Sequence, residues 1–232
     1  MFGDRWRLPR AESGAARTTV APRPAHSVSN GRNDGGGEAY SRHSNGLEQF
    51  FDHIQGEQGL NLLDFSGVSQ ANVGFITNMG CKLYSEDLIQ TLDFAFGAGG
   101  DSYENQSQSV RIDEFVDQNF NFEEGHLDGV LLWDVLEFVA PALLKAIVER
   151  LRRAVKPGSY LLAMFHAGER AGQLPVYSYR ISDAKTLLLT PRGLRDPAQF
   201  FNNRAVENLF QGFESVKFFL SRDSLREVIV KR

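Results

Sequence analysis

The feature that most constrains the fold of this chain is a strand–turn–helix–strand pattern between Leu60 and Asp87. A short apolar run ends on the acid Asp64, as buried parallel strands often do. A helical stretch follows a tight turn and stops at Gly80, and a second short strand then leads to Glu86. Two parallel strands joined by a crossover helix bring a turn and an acid to one edge of a sheet. The pattern predicts a βαβ unit of the kind that binds nucleotides.

The turn of this unit lacks most of the glycines of a dinucleotide-binding fingerprint. The positions where that fingerprint has glycine hold Ser66, Val68 and Gln70, and Gly67 is the only glycine in the turn. The stretch alone therefore fits an ordinary buried βαβ unit better than a nucleotide site. The crossover helix is expected to cover the strand with an apolar face made of Ala71, Val73, Phe75 and Ile76.

The composition of the 232 residues predicts a globular protein, because 42% are hydrophobic and 23% are charged. The formal net charge of −4 gives no reason to expect nucleic-acid binding. Cys81 is the single cysteine, so an internal disulfide and a cysteine-rich metal site are excluded. No apolar run is long enough to cross a membrane, and the N-terminus lacks the apolar core of a signal peptide. We therefore expect a cytoplasmic protein with no bound metal and no membrane contact.

The chain divides by composition into a tail and a domain. Residues 1–45 are rich in Gly, Ala, Ser, Pro and Arg and have little aliphatic content, which predicts a disordered tail. Residues 46–232 are expected to form one α/β domain. Its first helix is predicted between Gly46 and Gly56, with an apolar face made of Leu47, Phe50, Phe51 and Ile54.

A second βαβ unit is predicted between Leu127 and His166. The apolar run that begins at Leu127 predicts a central strand, Pro141 suits the start of a helix, and Tyr160 to Phe165 reads as another buried strand. Between the two units the sequence predicts a helix from Leu88 to Phe96 and a short third strand. The short strand is expected at Val110 to Ile112. The acids that follow it either face the base of a ligand or form a solvated loop, and they are Asp113, Glu114 and Asp117.

The last third of the chain predicts a flexible loop, an inserted hairpin, a helix and a pair of terminal strands. The loop is expected at Gly168 to Gly172, where Gly and charged residues replace the apolar pattern. The two terminal strands are joined by a polar turn and alternate in polarity. The segments are Tyr177 to Ile181 and Thr186 to Leu189 for the hairpin, Gln199 to Gln211 for the helix, and Phe213 to Leu220 and Leu225 to Lys231 for the strands.

From about Leu47 to its end, the chain resembles the class I S-adenosylmethionine-dependent methyltransferases. The resemblance rests on three passages of the second βαβ unit: Leu127 to Val130, Trp133 to Leu136, and Leu151 to Ser159. The family usually ends the last passage with Lys-Pro-Gly-Gly, where this chain has Ser159 as its final residue. The resemblance implies a doubly wound, seven-stranded, mostly parallel α/β sheet with a terminal antiparallel strand pair.

The resemblance also implies a cofactor site and S-adenosylmethionine as its ligand. By similarity, Asp64 matches the acid of the first motif and Glu86 matches the acid that binds the ribose. Ser66 and Gly67 would supply the turn that curves around the cofactor. Asp134 follows the fourth strand at the same sheet edge, where it is either a ligand-binding acid or an N-cap for the next helix.

No motif in the sequence assigns a catalytic residue or the methyl acceptor. His166, at the end of the fifth strand, is either a general base or a loop histidine without a function. Methyl transfer from a sulfonium needs little covalent help, so the absence of an obvious base does not count against it. Three functions remain: methyl transfer to an unidentified acceptor, a catalytically silent methyltransferase-like binding or regulatory module, and a nicotinamide oxidoreductase. The poor first turn makes the last the weakest of the three.

Overall fold

The computed structural model describes residues 37–167, 172–219 and 224–232 of the chain. The expected tail up to residue 36, the loop at 168–171 and the turn at 220–223 lie outside the described residues. The strands are Tyr40–His43 (β1), Asn61–Asp64 (β2), Lys82–Ser85 (β3), Leu127–Trp133 (β4), Val155–His166 (β5), Leu174–Asp183 (β6), Thr186–Arg195 (β7), Ser215–Phe219 (β8) and Leu225–Lys231 (β9). The α-helices are Asn45–Ile54 (α1), Gln70–Asn78 (α2), Leu88–Phe96 (α3), Ser102–Asn105 (α4), Ser109–Asn119 (α5), Pro141–Ala154 (α6) and Asn203–Leu209 (α7), and Val135–Phe138 forms a 3₁₀ turn.

The central sheet has six strands in the order β3-β2-β4-β5-β9-β8. The pairs β2–β3, β2–β4 and β4–β5 are parallel. β9 runs antiparallel to both β5 and β8. All seven residues of β4 are buried, which explains why its sequence is apolar apart from Asp128 and Gly129 rather than alternating. The structure is therefore a mixed α/β sheet that is mostly parallel.

The third strand expected at Val110–Ile112 is wrong, and the described residues form six strands of this sheet where seven were expected. These residues begin α5, whose buried positions Ile112, Phe115 and Val116 repeat with a helical period. The pattern over eleven residues outweighs the strand-like trio within it. The acids Asp113, Glu114 and Asp117 lie on the exposed face of α5, and Asp117 forms an ion pair with Arg150 of α6.

Both faces of the sheet are covered by helices. One face packs on α3, α5, α6 and α7, and the other packs on α1, α2 and the strands β6 and β7. α2 differs from the sequence expectation, because Asn72 and Ile76 are its buried residues. Ala71 is exposed and Val73 and Phe75 are only partly buried. The helix presents the face that carries Asn72, a polar side chain, because that side chain has hydrogen-bonding partners below it.

A second, three-stranded antiparallel sheet has the order β1-β7-β6, and we call it the cap sheet. Its hairpin confirms the strand pair expected near residues 177–189 and extends it at both ends. β1 corrects the expected boundary of the tail at residue 45, because Tyr40–His43 pairs with β7 and Ser44 caps α1 through Leu47 N. A short polar strand is ordered here by its partner rather than by its own apolar pattern.

β1 is attached to the central sheet by a buried ion pair. The Nη2 of Arg42 lies 2.9 Å from Oε1 of Glu227 on β9, and the two side chains are 4% and 3% exposed. Arg42 also donates to the Leu225 carbonyl, and the other Glu227 oxygen accepts from Gly46 N. The ion pair thus joins the cap sheet, α1 and the last strand.

Among the described residues, no helix has the length and apolarity needed to cross a membrane.

Removing residues 1–44 should destabilise the domain strongly, whereas a chain that starts at Gly37 should fold like the full chain. The longer deletion removes Arg42 and leaves Glu227 buried without its cation, which costs about 3–5 kcal/mol. Urea unfolding of both truncated chains measures the difference. Adding Glu227→Gln to the chain that lacks residues 1–44 should restore part of its lost stability, because the buried charge is then gone. Equal stability of the two truncated chains would show that β1 contributes nothing.

Candidate functional site

The carboxyl ends of β2, β3 and β4 meet at one edge of the central sheet. The chain runs from β2 outward to β3 on one side and later returns to β4 on the other, so the strand order reverses at β2. Loops diverge at such a reversal and leave a crevice, which is where open α/β sheets bind ligands. Asp64, Glu86 and Asp134 all lie at this edge, as the sequence predicts.

Asp64 is fully buried beneath the first turn. Its Oδ1 accepts from Trp133 Nε1 at 2.6 Å and from Ser66 N at 2.9 Å, and its Oδ2 accepts from Asn72 Nδ2 at 2.8 Å. Burial raises the pKa of Asp64, and these hydrogen bonds oppose that rise. Asp64 therefore organises the turn and the end of β4, and its carboxylate is occupied by groups of the chain itself.

Gly67 provides the one backbone conformation in the turn that needs glycine. Its φ is +84°, and a Cβ at this position would lie 3.2 Å from Cβ of Asp87. The Gly67 N–H donates to the Glu86 carbonyl at 3.1 Å, which ties the turn to the end of β3. Val68 is 83% exposed, so its side chain projects away from the sheet. The missing glycines are thus replaced by residues that do not crowd the inside of the turn.

Glu86 and Asp87 follow β3 and have different partners. Glu86 is half-buried, and its Oε1 accepts a hydrogen bond from the Thr91 hydroxyl. Asp87 caps α3 through Gln90 N, and its other oxygen lies 2.6 Å from Nη2 of Arg192 on β7. The cap sheet is therefore attached to the carboxyl edge of the central sheet through Asp87.

Asn72 is a functional position that the sequence did not reveal. Besides Asp64, its amide nitrogen donates to the carbonyl of Tyr179 at 3.1 Å, and its amide oxygen accepts from Ile181 N at 2.8 Å. One carboxamide thus pairs with the backbone of β6 as another strand would. A polar residue four positions before the buried Ile76 was the available signal.

Trp133 ends β4 in a strained conformation. Its φ is +53°, the only positive φ at a non-glycine residue among those described, and bulky residues rarely adopt it. Its ring stacks on Tyr179 of the cap sheet, with centroids 4.6 Å apart and planes at 11°. The strain is held by this stack and by the hydrogen bond to Asp64. Trp133 joins the cap sheet to the turn instead of only filling the core.

Asp134 comes next and is 1% exposed. Its side chain does not cap the 3₁₀ turn that follows, so the N-cap interpretation is wrong. Burial raises the pKa of Asp134 to about 7, with His166 lowering it and Glu137 raising it. Oδ2 has no hydrogen-bonding partner among the described residues. Asp134 is thus a buried acid that holds a proton more readily than an exposed one.

Glu137 and His166 form a buried pair beside Asp134. Nδ1 of His166 lies 2.6 Å from Oε2 of Glu137, and the backbone N–H of His166 donates to the same oxygen at 3.0 Å. Glu137 is completely buried and His166 is 6% exposed. The sequence drew attention to His166 at the end of β5 but not to Glu137, whose position only the fold reveals.

Four buried polar atoms of this region make no hydrogen bond of regular geometry in the described part of the chain, although the Tyr179 hydroxyl faces the Asp134 carboxyl and lowers its pKa. We call their residues the buried polar cluster, and the atoms are Asp134 Oδ2, Glu137 Oε1, His166 Nε2 and the Tyr179 hydroxyl oxygen. Leaving such an atom unpaired costs about 1–3 kcal/mol. Buried polar atoms of this kind are normally paired by an ordered water or by a ligand. Two further residues of β6 differ in their surroundings, because Tyr177 stacks near His166 and Arg180 is exposed.

No protein family model matches the chain, and no curated protein sequence matches it. Solved structures with a similar backbone include a methyltransferase of Methanosarcina mazei that depends on S-adenosylmethionine. It is 12% identical, covers 78% of this chain and 96% of its own, and has a TM-score of 0.47. A methyltransferase of Archaeoglobus fulgidus that also depends on S-adenosylmethionine is 12% identical over 80% of this chain and 91% of its own, with a TM-score of 0.45.

The 1,6-didemethyltoxoflavin N1-methyltransferase of Burkholderia thailandensis, solved with its substrate and S-adenosylhomocysteine, is also similar. It is 9% identical, covers 81% of this chain and 76% of its own, and has a TM-score of 0.44. At these identities and scores, the function has to be argued from the site of this chain itself.

Asp134 should make the domain less stable as the pH rises. The native carboxyl keeps its proton up to a pKa of about 7, whereas the unfolded chain releases it near a pKa of about 3.9. The native state therefore binds more protons than the unfolded state in this range, and stability falls from about pH 4 to about pH 7. Asp134→Asn should raise the free energy of unfolding at pH 8 by up to about 4 kcal/mol.

Urea unfolding at pH 5 and pH 8 measures this effect. The gain from Asp134→Asn should be smaller at pH 5, where the native carboxyl is already protonated. Asp113→Asn on the exposed face of α5 is the matched control and should show no such difference between the two pH values. A change from Asp134→Asn that is equal at both pH values would contradict the raised pKa.

Proposed function

We propose that this chain binds S-adenosylmethionine at the carboxyl edge of β2, β3 and β4 and transfers its methyl group to an acceptor. The observation that carries the proposal is the buried polar cluster, in which Asp134 follows β4 and His166 ends β5 at the same edge of the sheet. A chain that had kept only the fold would gain stability by replacing unpaired buried polar groups with apolar ones. Glu137 Oε1 and His166 Nε2, which have no partner among the described residues, favour a working site.

The residues at this edge fit the parts of the cofactor. α2 begins at Gln70 directly after the turn, and the Ser69 side chain does not cap it. The first N–H groups of a helix favour an anion, which suits the cofactor's methionine carboxylate. Glu86, at the end of β3, is placed to accept hydrogen bonds from ribose hydroxyls. Asp134 offers a carboxyl group to the cationic end of the cofactor.

Asp64 and Ser66 support the ligand site without contacting the ligand through the Asp64 carboxylate. The Asp64 carboxylate is engaged by Ser66 N, Asn72 and Trp133, so its role is to hold the turn and the end of β4 in register. Ser66 and Gly67 supply the turn itself. When bound, S-adenosylmethionine supplies an electrophilic methyl group, and the protein's task is to align an acceptor with it and exclude water.

The second candidate is a catalytically silent module, and a specific observation favours it. The N–H groups of Ser66 and Gly67 donate inward to Asp64 and Glu86, so neither is directed at a ligand. A turn closed in this way can persist as a structural element after cofactor binding is lost. The two candidates differ in whether the adenosyl ligand binds at all, which calorimetry with S-adenosylhomocysteine measures.

Gly67→Val should abolish the binding of S-adenosylhomocysteine. A β-branched side chain strains the backbone at φ +84° and meets Asp87, which would displace the turn. Val68→Gly should leave the affinity equal or improve it, because Val68 points into solvent. Isothermal titration of each variant, with circular dichroism as the check on folding, gives the comparison. If the unmodified chain does not bind at millimolar ligand and Val68→Gly does not rescue binding, the silent module is the better account.

Glu86→Ala should weaken the binding of S-adenosylhomocysteine more than tenfold. A carboxylate that accepts hydrogen bonds from two hydroxyls contributes about 1.5–3 kcal/mol. Glu57→Ala, in an exposed loop, is the matched control and should bind as the parent does. Unchanged affinity in Glu86→Ala would remove Glu86 from the site and leave Asp87 as the acid to test.

A further inference from the structure

The Glu137–His166 pair has the geometry of a proton acceptor that is held in one orientation. Glu137 accepts from both the ring Nδ1 and the backbone N–H of His166, so the imidazole cannot rotate freely. Because the carboxylate oxygen accepts, Nδ1 carries the hydrogen, and Nε2 of the neutral ring has the free lone pair. A carboxylate at Nδ1 also stabilises the ring when Nε2 takes up a proton.

Both outward-facing atoms of the pair are acceptors without partners. Glu137 Oε1 and His166 Nε2 are buried and make no hydrogen bond with any described residue. A histidine with a purely structural role would use both ring nitrogens. Two unpaired acceptors on one pair call for a ligand that donates more than one hydrogen. A hydroxyl donates one hydrogen, whereas an amine or ammonium nitrogen donates two or three.

The charges around the pair also favour a cationic ligand. Asp134 lies close enough to His166 for each to affect the other electrostatically. Tyr177, which stacks on the imidazole with centroids 6.2 Å apart, is neutral in its protonated form. Arg226 is the cation that faces Glu137, and its guanidinium donates to the Phe201 carbonyl and to Asn203 instead. Arg42, the arginine that acts on Tyr179, pairs with Glu227. The Glu137 carboxylate is therefore not hydrogen-bonded to an arginine among the described residues, so its negative charge favours a cationic ligand.

We propose that the methyl acceptor is a small amine, bound by Glu137 and deprotonated by His166; this rests on the function proposed above. His166 Nε2 takes a proton from the ammonium form of the acceptor. The freed nitrogen lone pair forms a bond to the methyl carbon of the sulfonium donor. The bond between that carbon and sulfur breaks, its electron pair stays on sulfur, and S-adenosylhomocysteine leaves. The methylated amine keeps one positive charge, and the imidazolium returns its proton to solvent.

The acceptor must be small or present a narrow amine tip, because the pair is buried. His166 is 6% exposed and Glu137 is not exposed at all. His166 is the catalytic residue of the proposal, and Glu137 is a positioning residue that also binds the amine. Propylamine and propan-1-ol are matched probes, since they differ only in the donor group.

The first experiment follows the ring nitrogens of His166 by NMR in the full chain labelled with ¹⁵N-histidine. The chain has five histidines, and His166→Gln assigns the signal by removing it. The free protein should show His166 with its hydrogen on Nδ1. Propylamine should shift the His166 signals saturably, and propan-1-ol should not. Glu137→Gln should abolish the response to propylamine, while the exposed His43→Gln should keep it.

The second experiment measures turnover of S-adenosylmethionine with propylamine at several pH values, together with binding of S-adenosylhomocysteine. His166→Gln should lower turnover about a hundredfold or more while the affinity for S-adenosylhomocysteine stays within about twofold. Glu137→Gln should raise the KM for propylamine and lower kcat while the affinity for S-adenosylhomocysteine stays within about twofold, because the amide no longer offers a charged acceptor to the amine. A merely structural residue would not change the KM for propylamine selectively.

The outcomes separate this proposal from the one it rests on. Failure of S-adenosylhomocysteine to bind overturns the methyltransferase function, whatever propylamine does to His166. Binding of S-adenosylhomocysteine without any effect of propylamine on the His166 signals overturns the amine site. An equal response to propan-1-ol, or turnover of the alcohol in place of the amine, overturns the assignment of the acceptor class.

Discussion

The buried carboxylate of Asp64 is the interaction on which the rest of the site depends. It accepts hydrogen bonds from the first turn, from α2 and from the end of β4. Each of these donors belongs to a different element, so one side chain fixes three of the pieces that frame the crevice. Removing a buried acceptor of this kind would leave three donors unpaired at once, which is why the acid is integral to the fold as well as to the site.

The cap sheet depends on the same interaction through Asn72. That carboxamide bonds to Asp64 on one side and to the backbone of β6 on the other. Trp133 repeats the link, since it donates to Asp64 and stacks on Tyr179. The hydrogen bonds of Asn72 and Trp133 and the stack of Trp133 on Tyr179 therefore connect the crevice to β6 of the cap sheet. The buried polar cluster lies where these connections end, which explains how it is kept from water.

Much of the fold could be predicted from the sequence because its central strands are short apolar runs that can be recognised locally. β4 and β5 are apolar runs bounded by turns, and the acids at the ends of β2 and β4 are adjacent in space because parallel strands share an edge. The start of α5 differs from the expected strand because Val110 to Ile112 resemble a strand only when the helical period of the residues after them is left out. β1 was missed because its partner strand lies far along the chain. Asn72 and Glu137 could not be predicted, since a polar residue gains its role from neighbours that only the tertiary structure provides.

The attachment of β1 has a consequence for how the protein is made. Arg42 donates a hydrogen bond to Leu225 across 183 positions of sequence, and among the described strands β1 pairs only with β7. As the chain leaves the ribosome from its N-terminus, β1 emerges long before either partner exists, and its edge stays open meanwhile. β1 is short and contains the polar residues Ser41, Arg42 and His43. These properties make the unpaired strand a poor template for association with other chains before its partners are synthesised. β1, the first strand of the described residues, is thus among the last to be fixed in place.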